Sequence, residues 1–255
     1  MSINYLKTIN KCELDKHITF DEKPHIYTIN GDSNYKSVTS WNHSHFEKFN
    51  ADNIIKKMMN SRNWENSKYF GMSKNNIKFK WEKEGKEASE AGTKMHYDIE
   101  CFYNKINVSN DSTEFKYFLN FHNDNKNLKP YRTEWMIYDK ELKLAGSIDM
   151  IFINDDGSLS ICDWKRSKEI RKTNKWQSST TECINHLEDC NFNHYSLQLN
   201  TYKYILENNY DEVISDMYLL CLHPINDNYL KIKVPDLSKE VNNLMKLRYT
   251  NLYNY

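Results

Sequence analysis

The sequence predicts an α/β protein: a mixed central β-sheet flanked by helices, preceded by a mainly helical N-terminal lobe. Three observations carry this expectation. Apolar residues recur at helical spacing in residues 45–64, 80–104 and 111–124, strand-like runs take over from Tyr131, and helical segments return between and after those runs. The chain of 255 residues can bury one substantial core, or a core plus a lobe, and its 14% aromatic content excludes a low-complexity polymer.

Taken in order, residues 17–40 read as a hairpin around Asn30-Gly31, a turn dipeptide. His45 to Trp64 reads as a helix, with Ile54, Ile55, Met58 and Met59 forming its apolar stripe. In the next helix Met95, Ile99 and Phe102 share an apolar face, and His96, Glu100 and Tyr103 form an adjoining polar stripe. A further helix is expected at 111–124. Strands follow at 131–138, 142–153 and 159–165, then a helix over His194 to Glu207, strands at 216–222 and 229–234, and a last helix reaching about residue 250. No internal repeat and no Pro-, Gly- or Ser-rich linker marks a boundary. The expected division is residues 1–125, a hairpin and helical lobe carrying His96, and residues 126–255, which hold the sheet.

The chemistry concentrates between Leu144 and Lys168. Asp155-Asp156-Gly157 is a turn signal between two strands, so the segment reads as a hairpin carrying Asp149 on its first strand and Asp163-Trp164-Lys165 on its second. The period of two sends Asp163 and Lys165 to one face and Cys162 and Trp164 to the other. Two carboxylates supply hard oxygen ligands for Mg²⁺ or Mn²⁺, and an ammonium group beside them can position a water or stabilise developing negative charge. That is the equipment for hydrolysing a phosphodiester. The bland alternative is a solvated hairpin with two surface aspartates, because D-x-K alone recurs often. His96, as a neutral imidazole, could add a nitrogen ligand and shift preference towards Mn²⁺; a core histidine satisfied by a backbone carbonyl is the competing reading.

These residues resemble the PD-(D/E)XK nucleases, specifically the RecB-like exonuclease branch. The elements are Gly92-Thr93-Lys94-Met95-His96, Glu134, Gly146-Ser147-Ile148-Asp149, Asp163-Trp164-Lys165 and Gln198-Leu199-Asn200-Thr201-Tyr202, in the family's order. The resemblance covers residues 80–222, and Tyr35-Lys36-Ser37-Val38-Thr39-Ser40 with Phe46 to Asp52 is similar to the lead-in of phage, giant-virus and CRISPR-associated members. It implies a restriction-endonuclease-like core and an N-terminal lobe walling a DNA channel. By this likeness His96, Asp149 and Asp163 would hold the metal and Lys165 would serve the attacking water. Glu134 would support the site from a neighbouring strand, and Gln198 and Tyr202, one helical turn apart, would orient phosphate or hold Asp163 and Lys165, with ordinary core the competing reading for Tyr202. Asp163 stands where many members have Glu, and residues 166–197 form a longer interval than the minimal core needs, so an inserted loop is expected at the mouth of the site. The activity implied is a metal-dependent exonuclease acting on DNA ends and on single strands. Two alternatives stay open: a structure-selective or restriction-type endonuclease on the same core, and a catalytically weak DNA-handling subunit of a recombination or CRISPR-like system.

Formal net charge is zero, with 35 basic and 35 acidic residues, which argues against a protein that coats duplex DNA through a broad basic surface. A nuclease needs only a local groove. Arg166, Lys168 and Arg171 follow the second strand directly and, with Trp164, are the candidate DNA contacts; Lys74 to Lys86 is the other basic run, equally readable as a solvated face. The six cysteines, with no signal peptide and no apolar span, point to a reducing, intracellular setting. The likeness to viral members is compatible with a viral protein acting in host cytoplasm, with a homo-oligomer, and with a helicase or recombination partner. Some relatives bind an iron-sulfur cluster through three clustered downstream cysteines; here only Cys221 follows Gln198, so no cluster is expected. Cys183, His186, Cys190 and His194 could be read as a structural Zn²⁺ site, but their short, irregular spacing favours loop cysteines and a helix-capping histidine.

Overall fold

The computed structural model describes residues 3–253 and is an α/β fold, with a mixed sheet flanked by helices and a helical N-terminal region. The larger sheet is built from β3 (Lys36–Ser37), β4 (Lys129–Asp139), β5 (Leu144–Ile153), β6 (Leu159–Lys165), β7 (Ile214–Cys221) and β8 (Leu230–Lys233). Strand β5 lies antiparallel to β4 along its whole length. Its other edge is shared: β3 pairs in parallel with Leu144 and Ala145, whereas β6 pairs antiparallel with Met150 to Ile153. Residues 146–149 therefore have a strand on one edge only. Beyond β6 the sheet continues with parallel β7 and antiparallel β8.

Strand alternation sorts two cores. On one face Met150, Phe152, Cys162, Trp164, Tyr218 and Leu220 pack with Met95, Ile99 and Tyr103 of α4 (Lys74–Tyr103) and Phe115, Phe118 and Phe121 of α5 (Thr113–Asp124). On the other, Ile151, Ile161 and Leu219 pack with Leu197, Leu199 and Ile205 of α6 (Asn191–Asn209) and Leu244 of α7 (Ser238–Tyr253). Burying both faces explains why β6 reads as a mostly apolar run interrupted only by Ser160, Asp163 and Lys165. Side-chain caps fix where helices begin: Ser37 Oγ accepts from Ser40 N–H at α2 (Val38–His43), and Ser112 Oγ accepts from Phe115 N–H at α5.

The expected strands and downstream helices are present with bounds shifted by a few residues, and three differences stand out. The N-terminal hairpin of β1 (Ile18–Asp21) and β2 (Ile26–Ile29) turns at residues 22–25, while Asn30-Gly31 makes a second tight turn after it, both residues at positive φ. The helix expected over 45–64 is shorter, α3 (Ala51–Met59), because Asn50 caps a fresh start through its side chain, and α2 has already ended at His43. A short helix, α1 (Tyr5–Ile9), precedes both.

The compact units also differ from a division at residue 125. One comprises Met1–Glu47 with Met95–Tyr255 and so includes His96 together with the sheet; the other is Lys48–Lys94. The second unit has a small core of Ile55, Tyr69 and Ile77, with Met58, Met59, Trp64, Met72 and Trp81 packed on it. No helix among the described residues is long and apolar enough to cross a membrane.

Candidate metal centre

The edge of β5 left unpaired at residues 146–149 is where functional side chains gather. The β5–β6 ladder ends at Met150 and Cys162, and one residue further the Asp149 carboxylate accepts a 2.9 Å hydrogen bond from the Trp164 backbone N–H. A carboxylate thus takes the place of a strand carbonyl, which fixes its direction. On the opposite strand, Glu134 sits at φ 42° in the middle of β4, between the ladder pairs Thr133 with Met150 and Trp135 with Ile148. A non-glycine residue in that left-handed region costs on the order of 1 kcal/mol and survives only where its surroundings impose it. Ser147 Oγ donates to Glu134 Oε2 at 2.9 Å, holding the carboxylate in place.

His96, on α4, meets both acids. Its Nδ1 lies 3.5 Å from Asp149 Oδ2 and 3.9 Å from Glu134 Oε1, and the three ligand atoms all fall within 4.8 Å of one another. These separations are long for hydrogen bonds and wider than the ~3 Å between neighbouring ligand atoms around a cation bound at ~2.1 Å, so the three groups would draw in on an ion. One imidazole nitrogen with two carboxylates suits Mn²⁺ or another borderline divalent ion, and also Mg²⁺ with waters completing its shell. The donor set therefore fits a divalent cation. Burial disfavours the His96 imidazolium, yet Asp149 and Glu134 outweigh it and raise the group to about 9. Asp149 itself is raised by burial, against the pull of His96 and Lys165. Glu100, one turn beyond His96, borders a cavity of about 120 Å³ together with Glu134, and burial followed by the Glu134 charge pushes its carboxyl up to about 7.

Asp163 and Lys165 share a face of β6, as the pleat requires. Lys165 Nζ lies 2.5 Å from Asp163 Oδ2, with Asp163 only 2% exposed. The contact is a close ion pair off the hydrogen-bond direction, so Oδ2 lacks a well-aligned donor. Burial lifts Asp163 to about 6 against the pull of Lys165, and Asp163 and Asp149 together hold Lys165 above the usual range despite its burial. The ring of Tyr195 lies 4.7 Å from Lys165 Nζ, a cation–π contact on the ammonium's flank.

The convergent trio therefore differs from the expected ligand set of His96, Asp149 and Asp163. Glu134 takes the third place, and Asp163 faces Lys165 beside it. The strained φ of Glu134 turns its side chain in towards Asp149; alternation along β4 carries no sign of this, so sequence alone gave it a supporting place. Gln198 and Tyr202 do share a helical face, Gln198 Nε2 donating to the Tyr202 hydroxyl at 3.1 Å, and Tyr202 is buried against Gly146.

The expected DNA contacts divide. Trp164 is 1% exposed and packed against Tyr103, Phe118 and Phe121, so it cannot stack on a base; the pleat that brings Asp163 and Lys165 together sends it to the opposite core. Arg166 is half-buried and paired with Glu114 at 2.6 Å, while Lys168 and Arg171 are exposed. In the same loop Trp176 is 93% exposed. The candidate zinc quartet does not gather: His194 Nε2 is 2.8 Å from Asp189, His186 Nε2 is 3.1 Å from Glu240, and Cys190 stands at the start of α6 without a capping hydrogen bond from its side chain. Among the described residues, His96, Glu134 and Asp149 are the one group of three or more His, Cys, Asp or Glu whose ligand atoms converge.

No protein-family model matches the chain, and no curated protein matches it. A solved structure described as the crystal structure of SSO0001 is similar at 15% identity over 88% of this chain and 78% of that one, with a TM-score of 0.31, a likeness too slight to carry an argument.

Proposed function

We propose that this protein is a divalent-metal-dependent deoxyribonuclease of the PD-(D/E)XK kind, similar to the RecB-like branch and acting on DNA ends and single strands. The observation that carries the reading is the adjacency of two charged groups in one partly dry site: the His96, Glu134 and Asp149 donor set, and the Asp163–Lys165 pair. A Mg²⁺ or Mn²⁺ held there would neutralise phosphate charge and acidify a bound water. Asp149, oriented by the Trp164 N–H, and Glu134, oriented by Ser147, are preset as ligands. Lys165 stays protonated across the working range, so it acts as a fixed positive charge for a water or a developing oxyanion rather than as a base. Asp163 holds that ammonium at the site. Exposed Lys168 and Arg171 follow β6 and suit phosphate contacts. The six cysteines are free thiols, which fits a reducing compartment.

Digestion of end-labelled linear and circular DNA, single- and double-stranded, with Mn²⁺ tests this directly. Mononucleotides or short products from linear substrates alone are expected. Cleavage of circles would favour the endonuclease reading, and no metal-dependent cleavage of any substrate would refute the proposal.

A further inference from the structure

The unit Lys48–Lys94 has chemistry of its own that the metal centre does not use. It holds eleven basic and six acidic residues, a net of +5 in a chain whose total is zero. A neutral whole thus conceals a strongly polarised part. The unit also exposes three aromatic rings, Phe49 at 75%, Phe70 at 55% and Phe79 at 69%. Two of them rest against the unit's own core. Phe49 lies 6.2 Å from the half-buried Trp81, Trp81 Nε1 donates to the Tyr69 hydroxyl at 2.8 Å, and Phe70 lies 6.0 Å from Trp64. Lysines interleave with the rings: Lys68 and Lys80 lie 4.9 and 5.7 Å from the centre of Tyr69, and Lys78 and Lys80 flank Phe79 in sequence.

Some of the charge is spent internally. Lys74 and Lys78 both reach Asp52, at 3.0 and 3.2 Å, and Lys83 and Lys86 stand within 4 Å of Glu87 and Glu90. Lys48, Lys56, Lys57 and Arg62 are exposed. Exposed rings set among cations match one ligand chemistry best: unpaired bases that offer flat π-faces, joined by a phosphate chain. A paired duplex hides those faces.

We propose that Lys48–Lys94 carries a binding surface for single-stranded nucleic acid, with Phe49, Phe70 and Phe79 stacking on bases and the neighbouring lysines meeting phosphates. The inference stands on this unit's residues and does not require the metal centre to work.

The test uses the full chain in a chelating buffer, so that binding is read without cleavage, and follows anisotropy of a labelled 15-nucleotide oligo-dT. Phe49→Ala with Phe79→Ala should weaken binding about a hundredfold, roughly tenfold per ring, with an unchanged melting temperature. Phe79→Trp should keep the affinity and Phe79→Leu lose it, which separates stacking from mere apolar bulk. Lys56→Ala with Lys57→Ala should lower the salt slope by about 1.4 if both meet phosphates on a single strand. Wild-type affinity in the double Phe variant, failure of the parent protein to bind oligo-dT, or tighter capture by phosphatidylserine vesicles than by oligo-dT would each overturn the proposal. Loss of cleavage in a metal-site variant that still binds oligo-dT in this assay leaves it standing.

Discussion

Gly146 and Tyr202 are in direct apposition: a Cβ built on Gly146 would lie 2.7 Å from Tyr202 Cε1 and 3.1 Å from its hydroxyl oxygen. The glycine sits on the stretch of β5 whose edge has no strand, and the ring of Tyr202, buried on α6, occupies the space over the sheet where a side chain at 146 would lie. The glycine and the tyrosine, 56 positions apart in sequence, are thus one packing unit, and Asp149 hangs from the strand they position. Gly146→Ala should destabilise the fold by ~1–3 kcal/mol, because the ring is enclosed and must shift. Thermal melts check this, and the same change in a Tyr202→Leu background should cost clearly less; equal losses in both backgrounds would mean the apposition is not the cause.

Metal affinity should depend on all three convergent residues. Glu134→Ala, His96→Ala and Asp149→Ala are each expected to lower Mn²⁺ affinity by tenfold or more in calorimetry, whereas Asp163→Asn should affect it less. Asp149→Ala should also destabilise the metal-free protein, since it orphans the Trp164 N–H. Wild-type Mn²⁺ affinity in Glu134→Ala would return that residue to a supporting part.

Lys165→Ala should abolish turnover while sparing Mn²⁺ binding, as expected for a charge acting on the reacting phosphate. It also leaves Asp163 buried without its partner, so a loss of ~3 kcal/mol in stability is expected alongside. The double change Lys165→Met with Asp163→Leu should restore stability without restoring any cleavage. Denaturant melts paired with cleavage assays read both effects.

The pH response follows from His96, raised to about 9 in the metal-free protein against an ordinary value of 6.5. A ligating imidazole must be neutral, so below about 9 a cation has to displace a proton, and Mn²⁺ affinity should climb with pH up to that point, releasing protons on binding. Stability of the metal-free protein runs the other way. The raised group contributes fully below 6.5, and that contribution disappears as pH rises through about 9. Calorimetry in buffers of different ionisation enthalpy at pH 7 and 9 measures the proton release, and His96→Gln should flatten both profiles.

Among the basic residues after β6, Lys168→Ala and Arg171→Ala should each reduce the salt slope of DNA binding by about 0.7 to 0.9, whereas Arg166→Ala should change it less because Glu114 already holds its guanidinium. Equal effects from all three would show that the Arg166–Glu114 pair opens on DNA.

Local chemistry made much of this legible from residue order. Strand β6 and the turn before it, the shared face of Asp163 and Lys165, and the helix carrying His96 are consequences of periods of two and of 3.6, which a linear chain displays. Even the fate of Trp164 was contained in that pleat: the residue between two site-facing neighbours must point away, into the other core. What no local rule expresses is where a ladder stops. The edge of β5 shared by β3 and β6, the left-handed turn of Glu134 into the donor set, the ring of Tyr202 against Gly146, and the grouping of His96 with the sheet all depend on segments far apart in sequence reaching one place. The sequence by itself determined which residue types stand close along the chain and which face of β6 presents Asp163 and Lys165; the tertiary structure alone decided that Glu134 joins His96 and Asp149 while Asp163 answers Lys165, because those choices turn on ångström distances between strands and a strained backbone angle that only long-range packing can impose.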